Sequence, residues 1–200
     1  AAYGSHHTMG NITGNHDKAR LISLAGGTLS PDEDHKAAGW LREIGVGDPV
    51  GYKKLALINA LNMTIAGVPC IYQGDEYGEP GGNDPDNRRM MRFDDWNNRE
   101  EALFEKVAAL NHLRRGNMAL VYGDYMQLHV GEQTFAYARK YFDTNVVVCI
   151  NNSTEEQTFE LDVEALNASG YKALFGKEYR RLEGNKLTIT LPALTAEVLY

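Results

Sequence analysis

Apolar residues recur at helical spacing in two stretches before residue 117. In the first stretch, 51–65, apolar residues three or four apart follow one another from Leu55, as on one face of a helix. In the second, 100–115, the same period returns and ends before Gly116, a residue that commonly follows helices. The pattern therefore predicts two helices, each with at least one buried face.

A short run that favours a strand precedes each predicted helix, and a long polar segment separates the two. These runs are 9–15 and 68–72, and the second is apolar throughout, which is typical of a strand covered on both faces. The segments 26–49 and 73–98 are rich in glycine, proline and charged residues, which favours irregular loops. The order strand, loop, helix therefore occurs twice.

Short segments separated by turn residues replace this order in the second half of the chain. The predicted strands are 125–130, 134–141, 145–151, 157–161, 171–175 and 186–191. The last of them alternates polar and apolar residues, as a half-buried strand does. We therefore expect an α/β domain over 1–116 followed by an all-β domain, an antiparallel β-sandwich, over 117–200.

The composition is that of a folded globular protein and argues against two kinds of partner. The 200 residues are 43% hydrophobic, and 27 acidic against 20 basic residues give a net charge of −7. A negative chain repels phosphates, which disfavours nucleic acid, and no apolar run reaches the ~18 residues of a membrane span. Cys70 and Cys149 both lie in apolar runs, which favours buried free thiols over a disulfide or a metal site.

A polar cluster follows the first predicted strand, where α/β barrels carry their active residues. It consists of Asn15, His16 and Asp17, with Arg20 near enough in sequence to keep the Asp17 carboxylate ionised. An imidazole beside a carboxylate can bind vicinal sugar hydroxyls and stabilise positive charge that develops during a reaction. The alternative is a simple turn or helix cap.

A second polar cluster, 83–89, follows the second predicted strand after a few more residues. It combines the carboxylates Asp84 and Asp86 with the guanidinium groups of Arg88 and Arg89. Paired groups of this kind suit bidentate contacts to a polyhydroxylated ligand. The alternative is a loop that its own salt bridges hold together.

Three segments of the first domain resemble the last signature motifs of the α-amylase family of glycoside hydrolases. They read GNHDKAR at 14–20, GVPCIYQGDEYG at 67–78 and GNDPDNRR at 82–89. The third is most similar to the neopullulanase, cyclomaltodextrinase and maltogenic amylase branch. The resemblance implies that the first domain holds the last two strand–helix units of a (β/α)8 TIM barrel, and the family also carries a β-sandwich after its barrel.

Carried over position by position, the resemblance implies a site for an α-glucan oligosaccharide. Asp17 is then the third catalytic carboxylate, which stabilises the transition state, while Asn15 and His16 bind the sugar at the point of cleavage. Asp84 and Arg88 hold glucose units further toward the non-reducing end. The implied activity is retaining hydrolysis of α-1,4 bonds in starch-derived oligosaccharides, pullulan or cyclodextrins, with α-1,6 bonds as an open alternative.

Two groups that this reaction needs have no matching motif in the sequence. Retaining hydrolysis uses a nucleophilic carboxylate and a general acid, which the family carries on the fourth and fifth barrel strands. A whole barrel also needs roughly 200 residues or more. We therefore expect the C-terminal fragment of a larger enzyme, inactive alone, whose partner is the missing part of the barrel. By the same resemblance, Asp75 and Glu76 shape a loop rather than catalyse.

Several properties stay open at this point. No cofactor is expected, and calcium is left to the larger enzyme because no cluster here supplies roughly six to eight oxygen ligands. No signal peptide is visible, but a periplasmic or secreted location is favoured over the cytoplasm. A homo-oligomer is an open alternative to a monomer.

Three other interpretations use parts of the same pattern. The run GNHD at 14–17 matches one box of the metallophosphoesterases, but the further ligands of that class do not follow in the sequence. A non-catalytic amylase-like protein would bind sugar or act as a scaffold without the nucleophile. The sandwich as an independent starch-binding module would need exposed aromatic residues, for which Tyr125, Tyr141, Tyr171 and Tyr179 are candidates.

Overall fold

A computed structural model describes residues 9–166, 170–176 and 178–200 of the chain. The chain divides into two compact units. The helical unit consists of 11–62 and 69–108, and the sheet unit consists of the described residues of 1–10, 63–68 and 109–200. The expected domain boundary at Gly116 stays a prediction.

The two predicted helices are present within two residues at each end. The α-helices of the described residues are α1 (Leu21–Ala25), α2 (His35–Leu41), α3 (Val50–Thr64), α4 (Asn98–Gly116) and α5 (Met118–Tyr122), and the 3-10 helices are Asp86–Arg88 and Glu164–Leu166. Helices α3 and α4 correspond to the predicted 51–65 and 100–115. No helix in this part of the chain is long and apolar enough to cross a membrane.

Capping explains why α4 begins two residues before the predicted start. The side-chain oxygen of Asn97 accepts the backbone N–H groups of Arg99 and Glu100 at 2.9 and 3.2 Å. The Glu100 carboxylate in turn accepts the Asn97 backbone N–H at 2.8 Å. This reciprocal capping box satisfies N–H groups that have no partner inside the helix.

The segment 26–49, predicted as an irregular loop, contains α2, so this prediction was wrong. The Asp34 side chain caps α2 by accepting two backbone N–H groups of its first turn at 2.9 and 3.1 Å, and these bonds lower the pKa of Asp34. Gly39, which made the segment look irregular, lies inside this helix. A Cβ at this position would come within 2.9 Å of Asp86, which explains why the residue is glycine. A close approach, and not flexibility, accounts for this glycine.

A two-stranded sheet is formed by β1 (Gly10–Ile12) and β2 (Val68–Cys70). Both strands are shorter than the runs that predicted them. Val68 and Cys70 are exposed, so the expectations of a strand covered on both faces and of a buried Cys70 thiol were wrong. An apolar run shows that a strand can be buried, but burial needs neighbouring elements on both faces.

The sheet unit contains two antiparallel sheets. The strands β3 (Asp124–Val130), β4 (Thr134–Tyr141), β5 (Thr144–Asn151), β6 (Gln157–Asp162), β7 (Tyr179–Glu183), β8 (Lys186–Leu191) and β9 (Thr195–Leu199) form sheets in the orders β3-β4-β5-β9 and β6-β8-β7. Buried side chains of both sheets form one core, to which β4 contributes Ala136, β5 Val147, β6 Leu161 and β8 Leu187. Such a shared core is that of a β-sandwich, which confirms the predicted architecture of this half.

Two strands of the sandwich were missed and one predicted strand is absent. The segment 171–175 is not a strand, although Ala173 makes an isolated bridge to Leu199. The missed strand β7 lies at the edge of its sheet and carries three charged residues in five, so it lacks the apolar alternation that identifies a strand. The missed strand β9 has five residues and a weak alternation.

Truncating a core residue of the sandwich should destabilise the protein strongly. Leu187 is fully buried in the core that the two sheets share. We expect Leu187→Ala to lower the free energy of unfolding by about 2–5 kcal/mol, because the side chain leaves a cavity. Urea denaturation followed by circular dichroism measures this change.

An exposed position on the same sandwich provides the control. Val130, on β3, is 61% exposed, and Val130→Ala should change the free energy of unfolding by no more than about 0.5 kcal/mol. Equal losses in the two variants would contradict the assignment of the core.

Candidate functional site

The first polar cluster forms a tight turn shortly after β1. The side-chain oxygen of Asn15 accepts the backbone N–H of Asp17 at 2.8 Å, the bond of an Asx turn. The turn leaves the side chains of His16 and Asp17 55% and 69% exposed, with His16 Nε2 3.3 Å from Asp17 Oδ2. An imidazole and a carboxylate are thus presented together to solvent, and Asn15 holds the backbone that carries them.

The second cluster presents Asp84 and Arg88 at the 3-10 helix. Arg88 Nε donates to the Asp84 carboxylate, and both side chains are close to half exposed. This hydrogen bond is the main reason that the pKa of Arg88 is raised, and the carboxylate of Asp17 contributes to the rise. The side chain of Asn87, which directly precedes Arg88, donates to the carbonyls of Asn15 and Lys18, so the segment with Arg88 is hydrogen-bonded to the turn that carries Asp17.

Arg20 connects the three motifs from a buried position. Its Nε donates to the Asn87 carbonyl at 3.0 Å, and its Nη1 donates to the Gln73 carbonyl at 2.7 Å and to Asp75 Oδ1 at 3.1 Å. The guanidinium carbon also lies 4.1 Å from the centre of the Tyr72 ring, a cation–π contact. One side chain of the first motif therefore holds both of the others in place.

The expected partner of Arg20 was wrong. We expected it to keep Asp17 ionised, but its ion pair is with Asp75, whereas Asp17 lies beside His16. Arg20 directly precedes α1, and its backbone N–H donates to the Gly81 carbonyl at 3.0 Å. Its side chain is 1% exposed and so points into the helical unit. Proximity in sequence is a poor guide to pairing at such a turn.

Asn87 is a second linking residue, and the sequence analysis did not single it out. Its side-chain amide donates to the carbonyls of Lys18 at 2.7 Å and Asn15 at 3.4 Å, while its own carbonyl accepts from Arg20. Because Arg88 follows it directly, Asn87 ties the turn of the first cluster to the helix of the second. Its place inside the 82–89 motif was the available signal, but an uncharged amide does not stand out among charged neighbours.

Other charged residues of the motifs have protein partners. Arg89 Nη2 donates to Asp86 Oδ1 and to the Ile44 carbonyl, both at 2.9 Å. The Glu76 carboxylate accepts the Gly74 backbone N–H at 2.7 Å. These bonds support the interpretation that Glu76 shapes its loop. The two adjacent arginines thus differ, because Arg89 is held by Asp86 and Ile44 whereas Arg88 is exposed.

Burial dominates the electrostatics of Asp75. Burial raises the pKa of its carboxyl to about 6, although the charge and the hydrogen bond of Arg20 oppose the rise. Its Oδ2 atom has no hydrogen-bond partner among the described residues. A Cβ at Gly14 would come within 2.3 Å of that oxygen, so the turn packs directly on the carboxyl and needs glycine there. Asp75 is therefore a structural residue of the loop.

The arrangement gathers hydrogen-bonding groups on one set of loops of the helical unit. Two exposed pairs, His16 with Asp17 and Asp84 with Arg88, stand on loops that Arg20 holds together. Such groups can bind hydroxyls and stabilise developing positive charge. Within the described ranges, no group of three or more His, Cys, Asp or Glu side chains is arranged to hold a metal ion.

A family model described as the α-amylase C-terminal domain matches residues 123–199. This range contains the whole of the sandwich, from β3 to β9. The sandwich is therefore the part of the chain that is similar to the α-amylase C-terminal domain.

Known enzymes of this kind are similar to most of the chain. It is 29% identical over 204 residues to an amylopullulanase of Thermoanaerobacterium saccharolyticum, which covers 94% of this chain and 15% of that protein. It is 31% identical over 154 residues to a cyclomaltodextrinase of Thermoanaerobacter pseudethanolicus, and this match covers 77% of this chain and 23% of that protein. The structure of the Nostoc punctiforme debranching enzyme soaked with acarbose matches with a TM-score of 0.73 at 29% identity. This match covers 96% of this chain and 33% of that one. The chain thus spans a third or less of each relative.

These matches confirm the resemblance to the α-amylase family of glycoside hydrolases. The cyclomaltodextrinase and amylopullulanase relatives are α-amylase family glycosidases, and the former represents the branch that the third motif indicated. The chain accordingly corresponds to the part of such enzymes that contains the C-terminal domain.

Replacing Asp75 by asparagine should change how stability depends on pH. In the unfolded chain the carboxyl has its ordinary pKa of 3.8, while in the fold the pKa is about 6. Between these values the folded state binds more protons, so the contribution of Asp75 is most favourable in acid and falls as the pH rises through the window, by up to about 3 kcal/mol. In urea unfolding, the free energy of unfolding should fall more between pH 4 and pH 7 for the wild type than for Asp75→Asn.

Asp94→Asn is the matched control, because Asp94 is an exposed carboxylate of the same unit. It should retain the pH dependence of the wild type. Parallel stability curves for the wild type and Asp75→Asn would show that burial does not control this carboxyl.

Proposed function

We propose that this chain supplies part of the substrate site of a retaining glycoside hydrolase that cleaves α-1,4 glucosidic bonds in starch-derived oligosaccharides, pullulan or cyclodextrins. Bonds of the α-1,6 type are a further candidate linkage. The observation that carries the proposal is the network of Arg20 and Asn87, which holds the turn with His16 and Asp17 beside Arg88. The names of the relatives, an amylopullulanase and a cyclomaltodextrinase, support the same substrate class.

In this proposal Asp17 stabilises the transition state and does not break the bond. Glycosidic cleavage passes through a state with positive charge on the sugar ring. The Asp17 carboxylate can stabilise that charge and bind ring hydroxyls, while the adjacent His16 donates a hydrogen bond to the same sugar. Asn15 positions both through its turn and completes the sugar-binding set.

Asp84 and Arg88 hold a neighbouring glucose unit. Their mutual bond orients both side chains at the surface without neutralising their ability to accept and donate further hydrogen bonds. A fixed donor beside a fixed acceptor matches two adjacent hydroxyls of a pyranose. The hydrogen bonds of the Asn87 side chain to the carbonyls of Asn15 and Lys18 join the two segments and support a single substrate that contacts both.

We also assign 1–116 to the last two strand–helix units of a (β/α)8 barrel. The strands β1 and β2 pair with each other, and each precedes a loop with site residues and then a helix. Active residues of such barrels lie on the loops that follow the strands. The debranching enzyme, which matches 96% of this chain, supports an origin of both halves in one enzyme architecture.

The nucleophile and the general acid are not assigned to any residue of this chain. Retaining hydrolysis needs both, one on each side of the scissile bond. The chain by itself should therefore bind α-glucans without cleaving them.

Binding and turnover can be measured separately on the 200-residue chain. Isothermal titration calorimetry with maltoheptaose should show binding, and assays for released reducing sugar on starch, pullulan and cyclodextrin should show no turnover. Asp17→Asn and Arg88→Ala should each weaken maltoheptaose binding about tenfold, the effect of losing one hydrogen bond to a charged group.

Two exposed residues outside both polar clusters serve as controls. Asp94→Asn and Arg115→Ala remove the same functional groups at exposed positions and should bind like the wild type. Turnover by the isolated chain would refute the prediction that no residue of this chain serves as the nucleophile or the general acid. Unchanged affinity in both site variants would refute the substrate site.

A further inference from the structure

Helix α2 is packed firmly onto the loop that carries Arg88. The Asn83 backbone N–H donates to the His35 carbonyl at 3.1 Å. A Cβ at Gly82 would come within 2.6 Å of that carbonyl, and a Cβ at Gly39 within 2.9 Å of Asp86. Glycines on both sides thus allow the helix and the loop to touch, and a side chain at the end of α2 has a fixed position relative to Arg88.

Trp40 is that side chain. It follows Gly39 in the last turn of α2 and is 71% exposed. It shares a surface pocket of about 290 Å³ with Arg88 and Pro85. A large aromatic ring held in the open beside a polar pocket offers an apolar face to a ligand that also uses the polar groups of the pocket.

Three cationic side chains, Lys36, Arg88 and Arg89, and the carboxylate of Asp86 line this pocket. Arg88 is paired with Asp84, and Arg89 is paired with Asp86, so each guanidinium has a carboxylate beside it. An anion would have to compete with these carboxylates, whereas a hydroxylated neutral molecule can use the same groups as donors and acceptors. The indole face adds an apolar surface suited to the C–H face of a pyranose.

We propose that Trp40 is a sugar-stacking residue and forms, with Arg88, a subsite for one glucosyl unit of an α-glucan. This inference rests on the proposed function, which assigns Arg88 to substrate binding but gives no role to α2. The subsite extends the site from the loop onto α2 and adds an apolar platform to a set of residues that otherwise offers only hydrogen bonds.

The two tryptophans of the chain allow the subsite to be observed directly. Trp96 is partly buried and stacks on Tyr77 with ring centres 5.1 Å apart. A Trp96→Phe variant therefore retains Trp40 as the single indole. Titration of this variant with maltoheptaose should shift and change the intensity of the Trp40 emission. Calorimetry on the chain with both tryptophans gives the affinity independently of that variant's folding.

Substitutions at position 40 test the contribution to affinity. Trp40→Ala should weaken maltoheptaose binding about tenfold, as expected for loss of an aromatic anchor, and Trp40→Phe should retain part of the affinity. Phe93→Ala is the matched control, because Phe93 is 77% exposed in the same unit and does not line this pocket. It should bind like the wild type, and circular dichroism confirms folding of each variant.

The outcomes separate this inference from the proposed function. If the wild type binds maltoheptaose, Arg88→Ala weakens binding and Trp40→Ala does not, the stacking role is overturned while the proposed function stands. If Trp40 emission is unmoved at saturating maltoheptaose, the stacking role is also overturned. If the wild type does not bind maltoheptaose, the proposed substrate site fails and the subsite fails with it.

Discussion

The buried guanidinium of Arg20 is the constraint on which the loop structure depends. A positive charge removed from water is costly unless its N–H groups find acceptors. The Nε and Nη1 groups of Arg20 find them in the carbonyls of Asn87 and Gln73 and in the Asp75 carboxylate, while Nη2 has no hydrogen-bond partner among the described residues. The loops can therefore adopt only arrangements that bring these three acceptors to one point. A charge that contributes little net stability can in this way select one geometry among many, and that geometry places the exposed pairs.

The sheet unit also contains buried arginines whose guanidinium groups donate to backbone carbonyls. Arg114 donates to the carbonyls of Met63 and Ile65, and Arg139 donates to those of Thr64 and Gly123. These acceptors include carbonyls at the end of α3, which have no partner inside the helix and carry the negative end of its dipole. Burial lowers the pKa of both arginines. Among the described residues, neither guanidinium forms an ion pair with a carboxylate, and their hydrogen bonds to backbone carbonyls hold the end of α3 in place.

The sequence predicted the periodic elements and not the contacts between loops. Helices α3 and α4 and the strands β4 and β8 have strong local patterns, so their bounds followed from residue types alone. The edge strand β7 and the exposure of Cys70 depend on which neighbours are present, which no local pattern records. The pairing of Arg20 with Asp75 joins residues 55 positions apart. The motifs identified the family, but the residues that hold the motifs together were visible only in three dimensions.

The distribution of charge among the loops matches the chemistry of a neutral substrate. The buried charges of Arg20 and Asp75 are paired with each other, and the exposed groups of the site form two adjacent pairs, the imidazole of His16 with a carboxylate and the guanidinium of Arg88 with a carboxylate. A pair of opposite sign has a weak net field at a distance but strong directional hydrogen bonds at contact. Phosphates and nucleic acids are recognised by net positive charge, which neither these pairs nor a chain of charge −7 provides. In the proposed function the substrate is an uncharged sugar, which is recognised by the directions of its hydrogen bonds, and the positive charge of its transition state develops beside the exposed Asp17 carboxylate.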